Sequence, residues 1–424
     1  MKKIIYLLLF LCVGVFHSCT KDFSTVEVTY KKATAVYSDL TEIRSIPLLE
    51  AARSIENPGK IFVADDLLLV GEEEKGIHVI DNSDPSNPQP ISFLNIPQNR
   101  EFYVEGNQLF AESHYDMLKI DISNKQAPRL VSRVESAFAQ EFTNDTGEVL
   151  IGFEFEEVTE KYDGDFEQHE QVFKNGETYY FDFANQLIPA SAVPSSFAGN
   201  SNNGIGSINR IAYQNDHVYV IGRSSLTILK NDAALTFVST NRIGRDMETI
   251  FPYEDKIFIG TQNSMEIFDA SDPANPQQVS SFWHATSCDP VYPIDGIAYV
   301  TLRTGDFSNC PGDVNSLVVL DVDTDLARFG SPTVLQEIEM ESPYGLTLTN
   351  DKLYVGEGAN GLKIFDATDR GNLKLENFDQ SIEAYDVISH PSRTDLLLIA
   401  GPKGLGQYEI EGVDKLTLVS WLDM

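Results

Sequence analysis

From about residue 41 to its end, the chain repeats one alternation: short apolar runs separated by clusters of Gly, Asn, Asp and Pro. Residues 76–88, GIHVIDNSDPSNP, set the pattern with an apolar strand, an acid at its end and a Pro-rich turn. The pattern returns as SMEIFDASDPANP at 264–276 and as GLKIFDATDRGN at 361–372, with weaker copies at 117–128 and 316–325. Runs rich in Val, Ile, Phe and Tyr, bounded by such punctuation, predict β-strands. They come in fours. In the first unit the runs are KIFVAD, LLLVGE, GIHVID and PISFLNI, here called strands a, b, c and d. The a–b junctions carry residues that accept positive φ and favour tight hairpins: Asp65-Asp66, Gly106-Asn107, Thr146-Gly147, Asn215-Asp216, Glu254-Asp255, Asp295-Gly296, Asn350-Asp351 and Thr394-Asp395.

The acid that ends strand c gives the period. Asp81, Asp121, Asp182, Asp269, Asp321, Asp366 and Glu409 fill the position, and Lys230 is the exception. Four-stranded units repeating at roughly 40–50 residues are the signature of propeller blades. The predicted fold is therefore an all-β propeller of four-stranded blades, eight by the turn count, with seven as the alternative. The third unit is the weak one, because no fourth strand is evident after ETYYFDFA. Ring closure stays open, since TEIRSIPL near Thr41 and the terminal LTLVSWL could each supply an outer strand.

The strand-c consensus, followed by Asp-Pro-x-Asn-Pro, resembles the LVIVD-repeat family of extracellular bacterial propellers, often carried on lipoproteins. Residues 77–88 and 265–276 carry the resemblance best, and 362–369 fairly well. It implies a fold and an exposed location, and it brings no chemistry to any residue.

The N-terminus reads differently. Lys2 and Lys3 precede an apolar stretch, residues 4–16, too short to span a bilayer. It ends in FHSC, similar to a lipoprotein signal of Bacteroidota-type bacteria. The division expected is a signal peptide over 1–18, lipidation at Cys19, a polar tether over 19–40 and the propeller over 41–424. Lys21-Asp22 resembles a surface-export signal. The expected location is the outer membrane, lipid-anchored, at the cell surface or facing the periplasm. Of four cysteines, Cys12 leaves with the signal and Cys19 takes lipid. Cys288 and Cys310 remain, and in an exported chain they read as one disulfide.

Charge narrows the partners. Lys plus Arg number 31 against 64 Asp plus Glu, a net −33. Such a surface repels phosphate backbones, so no nucleic-acid partner is expected, and the membrane is met only through the lipid.

Strands alternate direction, so d–a and b–c connections share one face of a propeller. The long segments all fall there: 156–174 and 303–314 as b–c insertions and 191–207 on a d–a connection. Binding surfaces of repeat folds gather on such a face. Residues starting each strand a should ring the channel mouth on that face. The candidates for contacting a polar or sugar-like ligand are Arg100, Glu101, Glu141, Arg210, Arg245, Glu248, Tyr344 and Tyr385. Opposite charges on that rim also suit simple mutual neutralisation.

No histidine pair stands at metal-chelating spacing, and no nucleophile-elbow, Walker-type or dinucleotide signature occurs. No catalytic residue, metal ligand or cofactor is assigned. DVDTD at 321–325 and DGDFE at 163–167 cluster oxygen ligands suited to calcium without completing a calcium loop. The reading favoured is a non-catalytic binder of a protein or glycan partner through the long-loop face. The alternatives are a glycan hydrolase or lyase with loop carboxylates at the funnel, and a structural subunit of an envelope complex.

Overall fold

Each polar cluster between apolar runs is a chain reversal. In the computed structural model, which describes residues 26–137, 143–144, 146–162, 170–174, 177–181, 209–222, 224–244, 247–261, 263–283, 291–304, 314–323, 330–412 and 415–424, the a–b turns of blades 1 to 6 carry positive φ, and the turn at Thr394-Asp395 of blade 7 does not. Asp65, Gly106, Asn215, Asp216, Glu254, Asp295, Gly296, Asn350 and Asp351 all adopt it. The hairpins they close assemble into antiparallel four-stranded sheets in strict sequence order, which are blades of a propeller. The inner strands a are Pro58–Ala64, Phe102–Glu105, Ile211–Gln214, Met247–Tyr253, Val291–Ile294, Leu346–Thr349 and Asp386–Ser389.

Among the described residues there are seven blades, the alternative count, not eight. The miscounted unit begins at the Thr146-Gly147 turn. Its strands Val149–Tyr162, Glu170–Lys174 and Glu177–Phe181 join a separate sheet around the N-terminal strand Val26–Ser38. Val26–Ser38 runs antiparallel to Val149–Tyr162 from Val26↔Tyr162 to Ser38↔Val149. Local sequence looked blade-like because strand propensity does not reveal the partner. Residues 26–38, expected within a tether, are thus strand. The strand expected near Thr41 is a short helix, Leu40–Ser45, because Asp39 caps it by accepting the Thr41 amide at 2.7 Å. Arg44 pins it to blade 2 with a two-pronged ion pair to buried Asp116, both contacts 2.8 Å.

The repeat sequence explains the blade. Strand c begins with Gly76, Asp116, Ser225, Ser264, Ser316 or Gly404, or just after Gly361, and the next residue is apolar and fully buried in every blade: Ile77, Met117, Leu226, Met265, Leu317, Leu362 and Leu405. Each such side chain contributes about 1.5–3 kcal/mol on burial. Gly76 is obligatory: its φ is 148°, and a Cβ there would lie 1.9 Å from the Leu94 carbonyl oxygen of strand d. At the far end the acid is a turn former. Asp81, Asp121, Asp269, Asp321 and Asp366 each accept the amide two residues on, at 2.8–3.0 Å. Burial falls off outward, and the outer strand Lys374–Asp379 of blade 6 has no fully buried residue.

Ring closure is resolved without strand exchange. The terminal strand Lys415–Asp423 completes blade 7, and Leu49–Ala51 adds a fifth strand to blade 1. Blade 1 then packs directly on blade 7, where Ile61, Leu68 and Val70 share a core with Leu398, Ala400 and Leu405.

The seams between blades differ in one respect. The fourth residue of strand c meets the residue after the strand-c acid of the next blade. In five seams both are apolar: Val79 with Ile122, Ile228 with Ala270, Ile267 with Val322, Val319 with Ala367 and Ile364 with Ile410. At the closing seam the pair is Gln407 with Asn82, both 2% exposed, with amides exchanging hydrogen bonds at 2.7 and 3.0 Å. Between blades 2 and 3, Lys119 donates to Asn231 at 2.8 Å. These are the two seams lacking a short covalent link, since one joins the chain ends and residues 135–210 interrupt the other.

Candidate functional site

Strand a of every blade starts at the face reached by the d–a and b–c connections. The interrupting segment, residues 135–210, is a d–a connection, and 303–315 is the b–c connection of blade 5. Both leave the ring on that one face; residues 156–174 are not a b–c insertion of a blade but fall within the 135–210 connection, and 191–207 lie outside the described residues.

At the mouth, blades 1 to 3 supply a charged wall. Lys60, 5% exposed, reaches out of an otherwise apolar strand to Glu101 at 3.0 Å and to Asn209 at 2.9 Å. Burial lowers its pKa, and the Glu101 carboxylate opposes that shift. Glu101 also accepts the Arg210 amide at 3.3 Å. Arg100 donates to Glu74 at 2.9 Å. Three of the sequence candidates therefore converge, and two of them sit in charge pairs. The Arg210 side chain is half-buried and makes no hydrogen bond or ion pair among the described residues.

Glu112 completes this wall. It stands at the fifth place of strand b, which other blades fill with Gly71, Gly260, Gly356, Ala400, Thr301 or Ile221. Only blade 2 puts a carboxyl there. Desolvation pushes its pKa up to about 7, against the pull of Arg100 and Arg210, while Glu101 adds to the rise. No group among the described residues hydrogen-bonds the carboxylate. His114, two residues on, is pushed down to about 4, by burial first and Arg100 second, so it is neutral at physiological pH. Its Nε2 is buried without a partner among the described residues. Neither residue was singled out from sequence as a ligand group. Aligning the b strands on the strand-c acid would have exposed Glu112 as the lone acid in a column of mostly small residues.

Blades 5 to 7 supply an aromatic wall. Tyr344 and Tyr385 lie with ring centroids 4.8 Å apart at 59°, and the Arg303 guanidinium sits 4.2 Å over Tyr344. Burial raises the Tyr385 pKa, with Tyr344 and Glu383 adding to it. Below lies a cavity of about 200 Å³, lined by Asn209, Thr249, Tyr292, Thr347, Asp386 and Ser389 among others. Gly345 makes room for the Asp386 carboxylate, since a Cβ would stand 1.7 Å from its Oδ1. The residues next to Arg210, Tyr344 and Tyr385 thus line one cavity.

Glu248 lies on strand a of blade 4. Cys19, Glu141, Arg245, Cys288 and Cys310 lie outside the described residues, so the lipidation and disulfide expectations do too. Residues 163–167 and 324–325 of the two calcium-like clusters also lie outside. Among the described residues no group of three or more His, Cys, Asp or Glu could hold a metal ion, and no helix is long and apolar enough to cross a membrane.

A family model described as LVIVD repeat matches residues 59–92 and 244–283. The chain carries LVIVD repeats. The matches coincide with blades 1 and 4, whose strands run over 58–95 and 247–283. No curated protein matches the chain in sequence. Among solved structures, the periplasmic gluconolactonase PpgL of Pseudomonas aeruginosa is similar in shape, with a TM-score of 0.54 at 11% identity over 84% of this chain and 96% of that one. The computationally designed Ika8 protein gives 0.51 at 7%, covering 87% and 89%. A functionally unknown protein from Desulfotomaculum acetoxidans DSM 771 gives 0.50 at 11%, covering 86% and 95%. At such identities the likeness is one of fold alone.

Proposed function

We propose that this LVIVD-repeat propeller binds a protein or glycan partner through its long-loop face without catalysing a reaction. It does so outside the cytoplasm, anchored by lipid on Cys19 in the outer membrane. The observation that carries the reading is the gathering of the irregular connections on one face, around a mouth whose Lys60–Glu101 and Arg100–Glu74 pairs are closed. The basic n-region, short apolar stretch and Cys19 support the anchor and location. A photo-crosslinking residue placed at Tyr344 should capture the partner in the native envelope, while one at Leu375 on the outer rim should not. Capture from Leu375 alone would overturn the reading. Mass spectrometry of the mature N-terminus tests the lipid, and Cys19→Ala should release the protein from the membrane.

One observation favours a second reading, an enzyme acting on a glycan by hydrolysis or elimination. Glu112 titrates near neutrality beside two arginines, as general acids and bases do. Loss of polysaccharide cleavage in Glu112→Gln, with folding intact, would support it. Absence of any cleavage by the wild-type chain would end it.

A further inference from the structure

We infer that a pocket of blade 4 on the long-loop face binds an alkylammonium group, as carried by a lysine side chain or a free polyamine, between the Glu266 carboxylate and the Trp283 ring. This rests on the proposal that the long-loop face binds, and it names the chemistry of one subsite there.

The pocket, about 430 Å³, opens where strand b of blade 4 ends and strand c begins, against the connection entering from blade 3. Its size falls within the roughly 300–1,000 Å³ of small-molecule sites. Ile243, Met247, Ile259 and Phe268 give it an apolar lining, which Glu266 and Trp283 complete. These last two both depart from the repeat. The residue paired with the first of strand c is Asn95, Arg242, Glu339 and Asp423 in blades 1, 3, 5 and 7, but in blade 4 it is Trp283. Its indole is 66% exposed, so most of the ring is open to a ligand.

The second departure is one of charge. Three residues before the strand-c acid, blades 1 and 6 carry His78 and Lys363. Each joins a buried carboxylate at the end of strand b, Glu72 and Glu357. Blade 4 has its carboxylate, Glu266, on strand c, and Thr261 stands at the end of strand b. The cation of the pair is therefore missing. Glu266 is half-buried and makes no ion pair among the described residues. Its hydrogen bonds come from neutral donors, Ser264 Oγ at 2.6 Å and Gln278 Nε2, and Ser264 in turn lies 2.8 Å from Thr261 Oγ1. These fix the carboxylate without offsetting its charge. A carboxylate has about four acceptor positions, so room remains for an N–H donor.

An ammonium can bond Glu266 and lie against the Trp283 ring while its methylene stem covers the apolar lining. A neutral sugar fits less well, because hydroxyls turned toward Ile243, Met247, Ile259 and Phe268 would go unpaired. The net charge of −33 draws cations toward the chain, an attraction that salt screens beyond about 8 Å at physiological strength.

n-Butylammonium and 1-butanol, alike in stem and different in charge, are the probes, titrated calorimetrically into the folded chain at neutral pH. Butylammonium should bind at least tenfold more tightly than butanol, and severalfold more weakly at high salt than at low. Glu266→Gln, which keeps the shape and removes the charge, should lose at least tenfold for butylammonium. Trp283→Ala, a change at an exposed position, should lose severalfold, and Trp283→Phe less. N-acetyl-lysine methylamide against 1,4-diaminobutane then identifies the source. Tighter binding of the first assigns the pocket to a protein side chain and of the second to a free polyamine, and either supports the site. Equal affinity for butylammonium and butanol, no ammonium binding at tens of millimolar, tighter binding of D-glucose, or unaltered affinity in both Glu266→Gln and Trp283→Ala would each overturn the inference. Crosslinking from Tyr344 is a separate readout, so either result can fail without the other.

Discussion

The closing seam offers the sharpest test of how this ring is held together. Gln407 donates to Asn82 at 2.7 Å, to the Pro85 carbonyl at 3.2 Å and to Ser420 at 3.3 Å, and it accepts from Asn82 at 3.0 Å. Gln407→Ala removes all of these and strands the Asn82 amide in a seam where it is 2% exposed. A buried amide left unpaired costs about 1–3 kcal/mol, so the loss with the missing bonds should be about 2–3 kcal/mol. Asn82→Ala costs less, about 1–2 kcal/mol, because Gln407 keeps Pro85 and Ser420. Replacing both by the apolar pair of the first seam, Asn82→Ile with Gln407→Val, should cost less than the two single variants summed, since neither amide is then left buried and unpaired and only the Pro85 carbonyl loses its donor. The coupling energy of the cycle should be about 1–3 kcal/mol. Urea unfolding reads it, with Trp421, on the strand that carries Ser420, reporting the closing blade once Trp283 is replaced by Phe. Circular dichroism and fluorescence must give coincident transitions for the free energies to be meaningful. If the apolar double variant loses as much as the two single variants summed, the seam is held by something other than this pair and the reasoning fails.

Three further predictions rest on single features. Gly76→Ala should cost well over 2 kcal/mol, because backbone must move from 1.9 Å, while Gly106→Ala, with open space around its Cβ, should cost about 1–2 kcal/mol for its positive φ; comparable midpoints for the two would contradict this. Glu357→Gln should destabilise by about 3–5 kcal/mol. The buried carboxylate pairs with Lys363 and accepts the Glu341 and Ser342 amides, so its loss leaves a largely buried ammonium uncompensated; a wild-type melting temperature would refute the prediction. The pH profile should bend at both ends. Hydrogen bonds from Ser83, Ser123, Ser271 and Thr368 lower the pKa values of Asp81, Asp121, Asp269 and Asp366, so their stabilisation is complete above about pH 4 and is lost as pH falls through the lowered values. Glu112 acts in the opposite sense. Its raised pKa means the folded chain holds a proton the unfolded chain has released, so stability declines as pH rises from about 4.3 toward 7. Glu112→Gln should abolish that decline in urea midpoints measured across this range, and an unchanged slope would count against the assignment.

The sequence by itself determined the blade. Strand-c apolar positions, the acid that ties its own turn and the residues tolerant of positive φ are local in cause, so Gly76, Ile77 and Asp81 could be read correctly in isolation. The topology of alternating strands also placed the long connections on one face, since direction follows from counting. The blade count, the role of residues 26–38 and the make-up of the site were decided only in three dimensions. Whether a strand such as Val149–Tyr162 joins a blade or pairs with Val26–Ser38 depends on a partner more than a hundred residues away, and its propensity is the same in either place. Glu112 likewise looks like any strand-end acid in the sequence. Its raised pKa arises because folding sets it in a partly desolvated place at the mouth, where Arg100 and Arg210 compensate only in part.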